Sequence, residues 1–244
     1  MYTPSVLAIS PDGQTVAYSA IENDGRIQLY VRALDDTLAR IVSGSENADT
    51  PFFSPDGAWL GFHGGGRLWK SPVGGGTPTE IATVGGIDGA SWGTGDTIVF
   101  GAGDGALARV SASGGEPAQF SKPDRASGER NKWPLALADG TVLYTICTCD
   151  SQKGLVVTLA ASPPEGGKET RFNLTGTTPV AVTGGYLIYA DTTGALMAVS
   201  YDAKSVSISG APMLVQDHVT VRENEQARVA LSSTGTLVYQ HNIE

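Results

Sequence analysis

The tetrapeptide Ser10-Pro11-Asp12-Gly13 recurs unchanged as Ser54-Pro55-Asp56-Gly57, each time between short apolar runs, and no other feature limits the fold of this chain so tightly. Proline presets φ at the first turn position, aspartate bonds nearby backbone amides, and glycine supplies a positive φ. With Pro51-Phe52-Phe53 before it and Trp59-Leu60-Gly61-Phe62 after it, the second copy reads as the tight turn of a β-hairpin. Asp12, Asp56 and the related Asp139 therefore read as turn formers rather than as catalytic acids.

Degenerate copies follow at Gly93-Thr94-Gly95-Asp96, Ala138-Asp139-Gly140, Thr183-Gly184-Gly185 and Ser233-Thr234-Gly235, and the first turns of units one to five stand 40–46 residues apart. Each of the first five units holds four strand-like runs; in unit two these are residues 52–54, 59–63, 67–72 and 78–82. Gly 32 and Pro 13 beside 41% apolar residues fit many short strands joined by tight turns. A four-stranded unit of about 40–45 residues is the size of a propeller blade. The expectation is an all-β chain, residues 1–244, forming a single six-bladed β-propeller with blades near 7–48, 49–87, 88–131, 132–178, 179–226 and a partial 227–244. Only the first half of the sixth unit is present, so that blade is expected to be incomplete or atypically closed, with an open edge available to a second chain in a homodimer.

The Ser-Pro-Asp-Gly hairpins, followed by Leu29-Tyr30-Val31-Arg32-Ala33-Leu34-Asp35, resemble the TolB-type, WD-like β-propeller repeat of bacteria. Residues 51–61, Val73-Gly74-Gly75-Gly76, Gly89-Ala90-Ser91-Trp92-Gly93 and Gly114-Gly115-Glu116-Pro117 are similar to the propeller region C-terminal to bacterial Ser/Thr protein kinases. The resemblance covers essentially the whole chain. It implies a sensor or interaction module of a larger bacterial protein, on the periplasmic or extracellular side, with no shared catalytic motif to carry over.

A net charge of −9 with only 17% charged residues speaks against a nucleic-acid phosphate backbone or an anionic membrane surface as partner. No apolar run is long enough for a membrane-spanning helix. The start Met1-Tyr2-Thr3-Pro4-Ser5 has neither the basic nor the apolar part of a signal peptide, and it reads as an excised domain. The two cysteines, Cys147 and Cys149, sit two apart on a strand-like run, where they would face one side as packed thiols or close a strained ring. Two ligands do not make a zinc site. Gly89-Ala90-Ser91-Trp92-Gly93 matches the G-x-S-x-G pattern, but a strand rather than a helix follows it, and Ser91 takes the repeat position of Ser54. Asn23-Asp24-Gly25 and Gly103-Asp104-Gly105 each offer an oxygen to calcium without the spacing of a calcium loop, so no cofactor is required.

Binding residues are expected on the loops between blades. Residues 121–132 and 217–228 are long and carry both charge signs. The candidates are Glu46, Asn47, Asp49 and Asp88 at the early junctions, Arg125, Glu129, Arg130 and Trp133 at the third, and His218, Arg222 and Glu223 at the fifth. His63 ends a second strand and is read as a surface histidine, as are His218 and His241. The leading functional expectation is a non-catalytic module that binds a protein or a small molecule. A metal-dependent hydrolase or lactonase with its site in the central channel would need three or four of Asp49, Asp88, Glu129, His218 and Glu223 to converge. A third reading is a structural module that pairs through the open sixth edge.

Overall fold

Ser54 shows how the repeated turn is built. Its hydroxyl donates to Asp56 Oδ1 (2.5 Å) and accepts from the Trp59 N–H (2.9 Å), while Asp56 Oδ1 also accepts from the Ala58 N–H (3.0 Å). Ser10, Asp12, Thr15 and Gln14 repeat the set at 2.5, 2.9 and 3.0 Å. The serine hydroxyl, with the backbone amide, holds both aspartates below the usual carboxylate range. Both carboxylates are thereby committed to the turn.

In the computed structural model, which describes residues 7–150, 154–221 and 226–241, these hairpins open five four-stranded antiparallel sheets. The first holds β1 (Leu7–Ile9), β2 (Thr15–Ile21), β3 (Ile27–Ala33) and β4 (Arg40–Ile41). The second holds β5 (Asp49–Phe53), β6 (Trp59–Gly64), β7 (Arg67–Pro72) and β8 (Thr79–Thr83). β9 (Ile87–Trp92), β10 (Thr97–Ala102), β11 (Leu107–Ser111) and β12 (Ala118–Gln119) make the third. β13 (Arg130–Ala136), β14 (Val142–Asp150), β15 (Gly154–Ser162) and β16 (Thr170–Arg171) make the fourth. The fifth is β17 (Thr178–Thr183), β18 (Tyr186–Ala190), β19 (Leu196–Asp202) and β20 (Ser207–Gln216). In every sheet the strands pair in chain order.

The innermost strands β1, β5, β9, β13 and β17 each touch the next, and β21 (Val229–Leu231) touches both β17 and β1, which closes the ring. The expectation of a propeller therefore holds, but the blade number does not. The structure has five blades, not six. Among the described residues the sixth position contains only β21 paired with β22 (Leu237–Tyr239), the first hairpin of the sixth unit.

The core lies between blades, as the two-residue period of a strand requires. On β10, Phe100 packs toward blade two with Phe52, Leu68 and Trp92, and its neighbour Val99 packs toward blade four with Phe120 and Tyr144. Leu29, Leu68, Leu107, Leu159 and Leu196 recur on the third strands, each at most 1% exposed. Complete burial of one leucine stabilises by roughly 1.5–3 kcal/mol. A latch made by side chains completes the closure: Ser233 Oγ donates to the Pro11 carbonyl (2.6 Å) and Thr234 Oγ1 to the Asp12 carbonyl (3.0 Å). Gly13, at φ 73, leaves the room that the Ser232, Thr234 and Thr236 hydroxyls occupy against the first turn.

Candidate functional site

The six innermost strands enclose a channel cavity of about 450 Å³. This falls within the range of small-molecule sites, roughly 300–1,000 Å³. Aliphatic, proline, aromatic, hydroxyl and glycine residues line it, with Gln226 as the one amide side chain and with no Asp, Glu, Lys, Arg or His among the described lining residues. A site of this chemistry favours a neutral, partly apolar ligand, because a charged group would lose hydration there with no counter-charge among the described lining residues to replace it.

β-Bulges shape this wall. The pairing of innermost with second strand shifts between Asp49 and Phe52, between Lys132 and Leu135, between Pro179 and Ala181, and opposite Phe100–Ala102 in blade three. Three bulges place a residue in the left-handed region: Thr50 (φ 50), Gly89 (φ 83) and Trp133 (φ 47). Pro51, Ala90 and Pro134 follow them, and a proline fits a bulge because no ladder hydrogen bond is asked of it there. A Cβ on Gly89 would stand 2.8–2.9 Å from Trp133 Cδ1 and Cα, so the glycine of one blade makes the seat for the tryptophan of the next. Trp133 is only 4% exposed, packs on Cys147 and Val157, and lines the channel with the Lys132 ammonium 5.1 Å from its ring. The Cys149 side chain, read with Cys147 as a pair, lies outside the described residues.

The charged candidates stand elsewhere, on the junctions between blades, and most are held in ion pairs. Asp49 Oδ1 meets His63 Nδ1 at 3.0 Å, and His63 Nε2 meets the Gly85 carbonyl at 2.7 Å. Burial pulls the His63 pKa down, but the Asp49 hydrogen bond and charge and the Gly85 carbonyl outweigh it and raise the value. His63 is thus a half-buried clamp, not the surface histidine expected from its position at a strand end. Arg130 Nη2 donates to Asp88 (3.0 Å) and to the Gly103 carbonyl (3.3 Å), and Arg125 donates to Asp104 (2.6 Å). Glu129 is gripped by two Arg171 hydrogen bonds (2.7 and 3.0 Å) and accepts the Asp124 N–H (2.9 Å). The Arg171 bonds are the main reason its pKa is lowered. His218 lies 3.1 Å from Asp217, with its ring against His241. Glu46 and Asn47 are exposed at the first junction, and Arg222 and Glu223 lie outside the described residues.

Asp88 and Arg130 are the only two candidates that the structure joins directly among the described residues. Asp49, Asp88, Glu129 and His218 belong to four separate pairs, none on the channel wall. Asp24 and Asp104, the loop oxygens considered for calcium, hold Arg26 and Arg125 and cap their own turns. Ser91 Oγ accepts the Ala136 N–H (3.1 Å), which ties blade three to blade four. Its repeat position also needs correction: Gly93, whose N–H bonds Thr97 as that of Ser54 bonds Trp59, is the equivalent of Ser54. The turn of unit three is one residue shorter, and Ser91, two residues before Gly93, takes the strand position of Phe52. Sequence reasoning missed the Tyr144–Glu169–Arg171 chain beside Glu129, in which the Tyr144 hydroxyl donates to Glu169 (2.5 Å) and Arg171 Nε donates to its other oxygen (2.6 Å). No spacing motif announces it, since Arg171 is 42 residues from Glu129.

No protein-family model matches the chain, and no curated protein matches it by sequence. Solved structures do match. TolB from Acinetobacter baumannii superposes with a TM-score of 0.62 at 17% identity, covering 81% of this chain and 51% of that one. A TolB-type structure from Agrobacterium tumefaciens gives 0.59 at 20%, covering 68% and 63%. The chain thus spans less than two thirds of the length of either. An oligogalacturonate lyase from Vibrio parahaemolyticus gives 0.62 at 11% identity, covering 99% of this chain and 76% of that one. At such identities the likeness concerns architecture alone, and the architecture it shows is a TolB-like β-propeller.

Proposed function

We propose that the chain is a non-catalytic binding module, the sensor or interaction portion of a larger bacterial protein, which takes a neutral ligand or peptide segment in its channel. One observation carries this reading: the channel cavity has no charged side chain among its described lining residues, while Asp49, His63, Asp88 and Glu129 are engaged in separate ion pairs at the junctions. The resemblance to kinase-associated propellers supports the sensor role and an extracytoplasmic position. The enzyme reading draws only on fold, in that one similar structure is an oligogalacturonate lyase in complex with manganese.

The test is a thermal-shift series on the 244-residue protein with neutral oligosaccharides, uncharged peptides, and calcium, manganese and zinc chlorides. A neutral compound should raise the melting temperature, and Ala90→Phe, which fills the channel, should abolish that rise at least tenfold in affinity. Turnover of a lactone or polyuronate that disappears with Asp49→Ala or Asp88→Ala would reverse the assignment.

A further inference from the structure

At the end of the ring that carries the first turns, the channel adjoins a cleft of about 400 Å³ between blades two and three, and the chemistry of the wall changes there. The two cavities share Ser54, Trp92 and Thr94, but the cleft adds Asp56, Trp59, Lys70 and Asp96. Blade two supplies one wall: Trp59 opens β6 half-buried, and the Lys70 ammonium of β7 stands 5.0 Å from its ring centroid. Blade three supplies the other through its shortened turn, where a Cβ on Gly95 would meet only open space.

The repeat shows that two counterparts of this cleft are bridged. In blade three, Arg109 has the register of Lys70, opposite the first residue of the fourth strand, and it donates to the Pro164 carbonyl of blade four (3.2 Å). The cleft it crosses is smaller, about 170 Å³. In blade one, Arg40 donates to the Val73 carbonyl of blade two. Lys70 makes no such bridge. It shares its cleft with two carboxylates and pairs with neither, and the Asp96 side chain has no hydrogen-bond or ion-pair partner among the described residues. The turn holds Asp56 through Oδ1 alone, which leaves Oδ2 as a fixed acceptor at the rim.

Two acceptors and one donor thus surround an indole, held apart by the width of the cleft. An anion there would meet two carboxylates, and a second cation would meet the Lys70 ammonium already on the ring. A hydroxyl group both donates and accepts, so a ligand rich in hydroxyls satisfies all three side chains without adding charge. A pyranose ring also presents a weakly positive C–H face, which suits the negative face of an indole. We infer that the cleft between blades two and three is a carbohydrate subsite, in which one neutral pyranose unit lies against Trp59 and bonds Asp56, Asp96 and Lys70 through its hydroxyls. The flexible stem of Lys70 lets its ammonium leave the ring for a hydroxyl when the sugar enters.

Calorimetric titration of the 244-residue protein with cellotriose, maltotriose, trigalacturonate and tetramethylammonium chloride tests this. At least one of the two neutral trisaccharides should bind saturably at one site, with trigalacturonate and tetramethylammonium at least tenfold weaker. Asp96→Asn and Lys70→Met should each weaken the neutral sugar at least threefold; asparagine tolerates the left-handed φ of 59 at position 96, so the turn survives the first change. Glu116→Gln, at an exposed loop residue elsewhere, should leave binding unchanged, and so should Ala90→Phe, since Ala90 lines the channel and not the cleft. The inference is overturned if neither neutral sugar binds, if trigalacturonate or tetramethylammonium binds as tightly, or if binding ignores both Asp96→Asn and Lys70→Met. In that last case, loss with Ala90→Phe would assign the sugar to the channel and leave the proposed function standing, whereas the channel reading fails by itself when no ligand responds to Ala90→Phe.

Discussion

His63 is the residue whose charge state matters most to the junctions, since both ring nitrogens face acceptors, Asp49 Oδ1 and the Gly85 carbonyl. Only the protonated ring donates to both. A raised folded pKa means that folding favours the proton, so this stabilisation is full below 6.5, the ordinary histidine value, and fades as pH rises through the folded pKa. Urea midpoints of the unaltered protein should fall across that window, and His63→Gln should remove that part of the slope. Glu129 works in the opposite direction: its lowered pKa contributes stability that is lost as pH falls through the folded value. These roles were poorly legible in the sequence. Mixed charge in residues 121–132 reads equally well as a binding surface or as solvated loop, and the Arg171 that claims Glu129 comes from a strand of the following blade.

At the scale of the strand, the bulges are the feature with the most strain. Thr50 is β-branched and sits at φ 50, where Gly89 sits in blade three. Thr50→Gly should stabilise by about 1 kcal/mol, the order of the left-handed penalty for a side chain. Gly89→Ala should cost about 2–3 kcal/mol, because the positive φ and the Trp133 contact penalise the methyl together. Chemical denaturation of the two variants checks both signs. The hairpins themselves were legible, since Ser-Pro-Asp-Gly carries its own hydrogen-bond chemistry and the flanking runs alternate. The bulges were not, because Thr50-Pro51 and Trp133-Pro134 look like ordinary strand residues, and their extra residue appears only as a register shift. Ser91 is misplaced because glycine, Gly93, stands where the other early turns carry serine.

For the whole molecule, repeat spacing identified the propeller but overcounted the blades, because turn spacing counts first hairpins and says nothing of the strands that must follow them. Asp12 and Ser233 begin and end that count, and they are also where the ring is sealed. Ser233→Ala with Thr234→Val removes both latch hydrogen bonds and should lower stability by about 1 kcal/mol, read as a drop in the urea midpoint with the slope unchanged. The latch joins positions 222 residues apart. During synthesis each blade can settle on its predecessor as it leaves the ribosome, yet the first turn must wait for Ser233 before it meets its partner. Until then the Tyr18–Tyr30 face of the first blade has nothing beside it. The newborn chain therefore passes through an open crescent, and its hazard in the cell is set by how soon Ser233 and Thr234 emerge rather than by how strongly the finished ring holds.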